Sequence, residues 1–146
     1  SFVRGRFDAR IDGSDNLPLI PAARWVSELK AEWREKGKYF RNIYLKLEAD
    51  KTFEQNNPFT GYGTETRTAG YTLLNAGTGA DIISGKKKIL FSVHLSLSNI
   101  GDGAWQNHLS RLKYTAENKF TGRTGVFNTG RNFSVKLNVP LSFGMK

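Results

Sequence analysis

Cysteine is absent from this chain, and histidine (two residues), methionine (one) and proline (four) are scarce among its 146 residues. Without cysteine there is no disulfide framework, no thiolate nucleophile and no thiolate metal site. Two histidines among scattered carboxylates show no metal-ligand spacing, so neither a metal nor a cofactor is expected. Long apolar runs are missing too: no stretch approaches the roughly 18 consecutive apolar residues of a spanning helix. That excludes a helical membrane bundle. It leaves a soluble domain or a membrane β-barrel, whose alternating side chains keep average hydropathy near neutral. The chain opens at Ser1 without Met or a signal peptide, so we expect a piece of something longer. The formal charge of +9 directs attention to polyanions, either nucleic acid or lipopolysaccharide phosphates.

What is present is alternation. Phe133, Val135, Leu137, Val139, Leu141 and Phe143 alternate with Asn132, Ser134, Lys136, Asn138, Pro140 and Ser142. Phe91, Val93, Leu95 and Leu97 alternate with Ser92, His94, Ser96 and Ser98. Upstream, the same period of two runs over Leu74 to Ile82, Asn42 to Asp50, Trp25 to Trp33 and Val3 to Asp12. A helix over Pro21 to Lys38 competes, because Glu, Lys and Ala favour one and Pro21 could open it. Trp25 and Trp33 favour the strand: eight residues apart on one tilted face, they reach both aromatic girdles of an apolar band about 25 Å tall. The reading is an all-β, antiparallel meander of about six strands over residues 1–146.

The connections alternate in length. They are long around 13–23, 52–69 and 101–130, and short around 34–37 and 84–87, as expected for outside loops and periplasmic turns of an outer-membrane barrel. Six strands cannot close such a barrel, and lipid does not tolerate unpaired edges, so this meander would be part of a larger transmembrane barrel.

Three runs carry a resemblance: Gly70-Tyr-Thr-Leu-Leu-Asn-Ala-Gly-Thr-Gly-Ala80, Asn16-Leu-Pro-Leu-Ile-Pro21 and Gly130-Arg-Asn-Phe-Ser-Val-Lys-Leu-Asn-Val-Pro-Leu-Ser-Phe143. Together with Trp105-Gln-Asn-His-Leu-Ser-Arg-Leu-Lys-Tyr114 and Gly122-Arg-Thr-Gly-Val-Phe-Asn128, they resemble the C-terminal barrel of a Bacteroidetes-type TonB-dependent receptor. The resemblance implies a barrel of about 22 strands, plugged by a domain of the same parent polypeptide that lies upstream. It also implies the Gram-negative cell outer membrane, a periplasmic C-terminus, and contact with lipid and lipopolysaccharide. The implied function is active transport, driven through TonB, of a scarce small-molecule ligand: an iron chelate, a cobalamin or a glycan fragment. Family members end on an aromatic residue read by the insertion machinery; Phe143 matches it, and Gly144, Met145 and Lys146 follow.

Candidate ligand contacts lie in the last long loop: Trp105, Gln106, Asn107, His108, Arg111, Tyr114 and Arg123, a cationic and aromatic mixture suited to anionic or planar ligands. The bland alternative is that they pack the loop on itself. Asn75, Asp81 and His94 are expected to face the lumen. Charges of the first three strands, including Arg4, Arg6, Arg10, Asp8 and Asp12, would form cross-strand ion pairs on that wall or be solvated there. Ser92, His94 and Asp81 invite a hydrolase reading, but same-face neighbours two apart lie about 7 Å apart along a strand, too far for a nucleophile and its base. No enzyme is expected. The competing class is a soluble basic β-sheet module for nucleic acid or acidic polysaccharide. Nucleic acid is not expected, because the aromatics sit in loops or on apolar faces instead of interleaving with basic residues.

Overall fold

Period-two sequence gives strands here almost everywhere it was found. The computed structural model describes residues 1–34 and 37–141, with no α-helix among them. The strands are β1 (Arg6–Ile11), β2 (Ser14–Asn16), β3 (Arg24–Trp33), β4 (Phe40–Thr52), β5 (Tyr71–Ile83), β6 (Ile89–Ser98), β7 (Glu117–Asn118), β8 (Arg123–Thr124) and β9 (Asn132–Asn138). Five of them form one antiparallel sheet in the order β3-β4-β5-β6-β9. The sheet is open.

Two expectations need correction. The first expected strand forms, but it pairs with β2 in a separate two-stranded sheet, so the large sheet has five strands, not six. The cause is Asp12-Gly13, both at positive φ, which closes a two-residue hairpin between Ile11 and Ser14. The last strand stops at Asn138, short of the expected Phe143; two residues on, Pro140 has no N–H to give a ladder. Ser142 and Phe143, and with them the terminal signal, lie outside the described residues. Where a helix from Pro21 competed, the described residues hold strand β3 over Arg24–Trp33.

The chain divides into two units, and β3, β4 and β5 contribute residues to both. In the sheet unit (Ser27–Ala49, Leu73–Gly101, Arg131–Lys146), register fixes the two faces. Thr78, Leu95 and Val135 stand side by side, as do Ala80, Val93 and Leu137, while Gly79, His94 and Lys136 share the other face. The β5–β6 turn is tight: Lys87 N–H donates to Ser84 O at 2.8 Å, Ser84 N–H donates to Lys88 O at 2.8 Å, and Lys87 sits at φ +60°.

The loop unit (Ser1–Val26, Asp50–Thr72, Asp102–Gly130) is held by polar side chains gripping backbone. Gln55 Nε2 donates to Ile20 O (3.0 Å), Asn16 Nδ2 to Pro58 O (3.3 Å), and Arg24 forms a two-pronged bond with the buried Asp50 (2.8 and 2.6 Å). Each such bond contributes on the order of 1 kcal/mol net, and leaving Asp50 without a partner would cost more. Phe59, buried with Phe7 at its edge (6.1 Å between centroids), anchors the β1–β2 hairpin.

Gly79 has its place for a steric reason. A Cβ there would lie 2.6 Å from the Tyr44 ring, 2.7 Å from His94 Nδ1 and 2.8 Å from Val93 O. At Gly77 the nearest atom would be an ordinary 3.6 Å away. Gly79→Ala is therefore expected to lower the unfolding free energy by about 1–3 kcal/mol and Gly77→Ala by much less, read from tryptophan-detected denaturation. Equal tolerance of both would refute the packing described.

Candidate functional site

The polar face of the sheet unit is a connected hydrogen-bond surface. Lys46 on β4 sits between Glu28 on β3 and Glu48 on its own strand, 2.9 Å from each. Asn75 donates to Glu48 (2.9 Å) and accepts the Asn99 N–H (2.9 Å). Asp81 accepts from Ser92 Oγ (2.6 Å) and Asn42 Nδ2 (2.7 Å), and Tyr44 OH meets His94 Nδ1 at 3.2 Å. Ser96 and Ser134 bond across β6 and β9 at 3.0 Å. Over this face lies a groove of about 500 Å³ bordered by Tyr44, Glu48, Gly77, His94 and Lys136. All three expected lumen residues, Asn75, Asp81 and His94, are on this face. The cross-strand Lys46–Glu28 pair realises one of the expected ion pairs. Two charges expected on that wall have partners in the loop unit: Arg6 pairs with Asp15 at 3.6 Å, and Asp12 accepts the Tyr62 N–H at 2.6 Å.

Chemically, the face offers alternating donors and acceptors. Ser92 donates to Asp81 and His94 pairs with Tyr44. Among the described residues, no group of three or more His, Cys, Asp or Glu could hold a metal.

The last long loop folds onto the segment 53–70. Trp105 packs on Tyr71 (4.7 Å between centroids), Gln106 Nε2 donates to Thr124 O and Val126 O, and Asn107 Oδ1 accepts the Leu109 N–H. Tyr114 OH accepts from Thr66 N at 3.2 Å, and the Arg123 guanidinium stands 5.3 Å from the Phe127 ring. Arg111 is exposed in a short 3-10 turn over Arg111–Tyr114. The ligand candidates thus include several that tie the loop together. Phe120, fully exposed in the β7–β8 connection, is a further aromatic side chain of this loop that the expected contacts did not include.

His108 is the most enclosed of the candidates. Thr68 Oγ1 lies 2.8 Å from its Nδ1 and also accepts from Lys113 Nζ, which donates to Thr66 O (2.9 Å). The other ring nitrogen is Nε2. That nitrogen is buried without a hydrogen bond, with Glu65 Oε2 at 3.6 Å. The Glu65 carboxylate already accepts the Leu19 (2.6 Å) and Phe59 (3.1 Å) N–H groups. Burial, then the Lys113 charge, lower the His108 pKa below its ordinary 6.5, against the opposing pull of Glu65.

For a base whose folded pKa is depressed, the unfolded chain binds the proton first. The contribution to stability is therefore complete above about pH 6.5 and falls as pH drops toward the folded value. Amide exchange in residues 105–126 is expected to speed up as pH is lowered from 7 to 5, after correction for intrinsic rates. Lys113→Met should move the His108 titration midpoint upward in a histidine NMR titration. A midpoint at or above 6.5 in the unaltered protein would contradict the burial described.

In comparisons with protein-family models, with curated proteins and with solved structures, nothing matched.

Proposed function

We propose that this chain is the C-terminal part of the barrel of a TonB-dependent outer-membrane receptor, and that its role is transport, not catalysis. The observation that supports this best is the inverted burial along β4. Ile43, Leu45 and Leu47 are exposed while Tyr44, Lys46 and Glu48 between them are half-buried. β9 is exposed on both faces, with Phe133, Val135 and Leu137 at about 60% each, and Leu74 and Leu29 are exposed on their strands. Water disfavours so wide an apolar surface, and soluble monomers rarely expose apolar patches beyond a few hundred Å². Hydrocarbon accepts it at no cost. The polar face suits a wet lumen filled by a plug domain, and the open edges at β3 and β9 suit a sheet continued by further strands.

In this reading the loop unit faces the ligand, an iron chelate, a cobalamin or a glycan fragment, with Trp105, Arg111, Arg123 and Phe120 available at its surface. A basic module for nucleic acid or acidic polysaccharide would bury one strand face in a core; the described residues bury only Phe59 and Ile83 among large hydrophobics.

The test is where the parent polypeptide goes and what one charge does. Intact mass well above 16.4 kDa and recovery in the detergent-extracted outer membrane are expected. Val135→Arg should destabilise the inserted protein by about 2–4 kcal/mol, whereas Lys136→Ala on the other face should change it little. A water-extractable chain of 16.4 kDa, indifferent to Val135→Arg, would sink the proposal.

A further inference from the structure

One end of the sheet unit carries a charge pattern that the uptake reading does not use. The Ile83 N–H donates to Tyr39 O at 2.9 Å, so the start of β4 and the β5–β6 turn are neighbours. β9 reaches the same end, since Asn138 stands opposite Ser92 near the start of β6. Here Lys38, Lys86, Lys87 and Lys88 are all exposed, and residues 37–41 and 84–90 contain no acid, while Arg41 borders a polar-face groove with Asp81 and His94. Arg34 is also here, paired with Glu32 at 3.4 Å. The long connections 53–70 and 99–131 differ, holding six basic against four acidic residues. Beside the basic residues stand exposed apolar ones: Trp33, Tyr39, Phe40, Leu90, Val139 and Leu141.

Apolar and aromatic side chains next to a row of long cationic ones match one kind of surface, an anionic lipid leaflet. There the rings occupy the interface while lysine stems run along hydrocarbon and hold the ammonium groups at the phosphates. A polyanion in water would leave the apolar members uncovered, and a neutral leaflet would leave the charges unmatched. We infer that this end of the sheet is a binding site for anionic phospholipid headgroups, formed by Lys38 and Lys86 to Lys88 above an apolar collar of Trp33, Tyr39, Phe40 and Leu90. The inference rests on the barrel reading. With the C-terminus periplasmic, the lipids engaged are phosphatidylglycerol-type molecules of the inner leaflet.

The experiment uses the parent protein in zwitterionic detergent, titrated with short-chain phosphatidylglycerol and, as reference, short-chain phosphatidylcholine. Phosphatidylglycerol is expected to bind more tightly, K86Q/K87Q/K88Q to weaken it by about tenfold or more, and K86R/K87R/K88R to restore it. R111Q/R123Q, in the long connection, should leave it unchanged. A protein that needs detergent yet binds both lipids alike, or whose preference survives K86Q/K87Q/K88Q, overturns this inference and leaves the barrel reading standing. Stronger binding of lipopolysaccharide or of an oligonucleotide at the same lysines also overturns it. A chain that stays in the aqueous fraction overturns both.

Discussion

Alternation with a period of two is the constraint on which the rest of this structure depends. Once the backbone ladder sets the register Thr78–Leu95–Val135, every second side chain is committed to the same face. A slip of one residue in any strand would put a charged row among leucines. The apolar face therefore needs one partner over its whole area. The polar face supplies its own partners, through Lys46 and its two glutamates, Asn75 bridging Glu48 to Asn99, and Asp81 shared by Ser92 and Asn42. A soluble sheet usually shows the reverse arrangement, apolar contacts inside and water on the polar side.

The loop unit obeys a different rule. It lacks a core beyond Phe59 and its neighbours, and it is ordered by buried polar groups instead: Asp50, Gln55, Thr68, His108 and Lys113. Such groups stabilise only when each finds a partner, and most do: Asp50 at the Arg24 guanidinium, Thr68 at Lys113, and Gln55 and Lys113 at backbone carbonyls. His108 Nε2 is the exception. Burial and then the Lys113 charge lower the His108 pKa, which makes this loop sensitive to acid.

Much of the sheet was legible from sequence, because strand periodicity is a local signal. Phe91 to Leu97 and Phe133 to Leu137 announce their faces without reference to anything else. The hairpin at Asp12-Gly13 was passed over, because the alternation of Val3 to Asp12 drew that segment into the sheet, although a DG pair before a polar run is a strong turn signal. Alternation likewise carried the expected last strand past Pro140, which cannot donate to a ladder. The roles of Trp105, Gln106, His108 and Tyr114 were not legible, since composition cannot distinguish a loop that grips a ligand from one that grips segment 53–70. Burial of His108 depends on Thr68 and Glu65, some 40 residues away.

The proposed contact of the apolar face with hydrocarbon is open to a direct test. The chain has no native cysteine, so single cysteines can be placed in turn from Asn132 to Asn138, nitroxide-labelled, and measured for collision with oxygen and with a water-soluble nickel chelate in the reconstituted parent protein. The account predicts a period of two, with oxygen favoured at 133, 135 and 137 and nickel favoured at 134 and 136. Nickel accessibility at all positions, or protection of 133, 135 and 137 from both reagents, would contradict it.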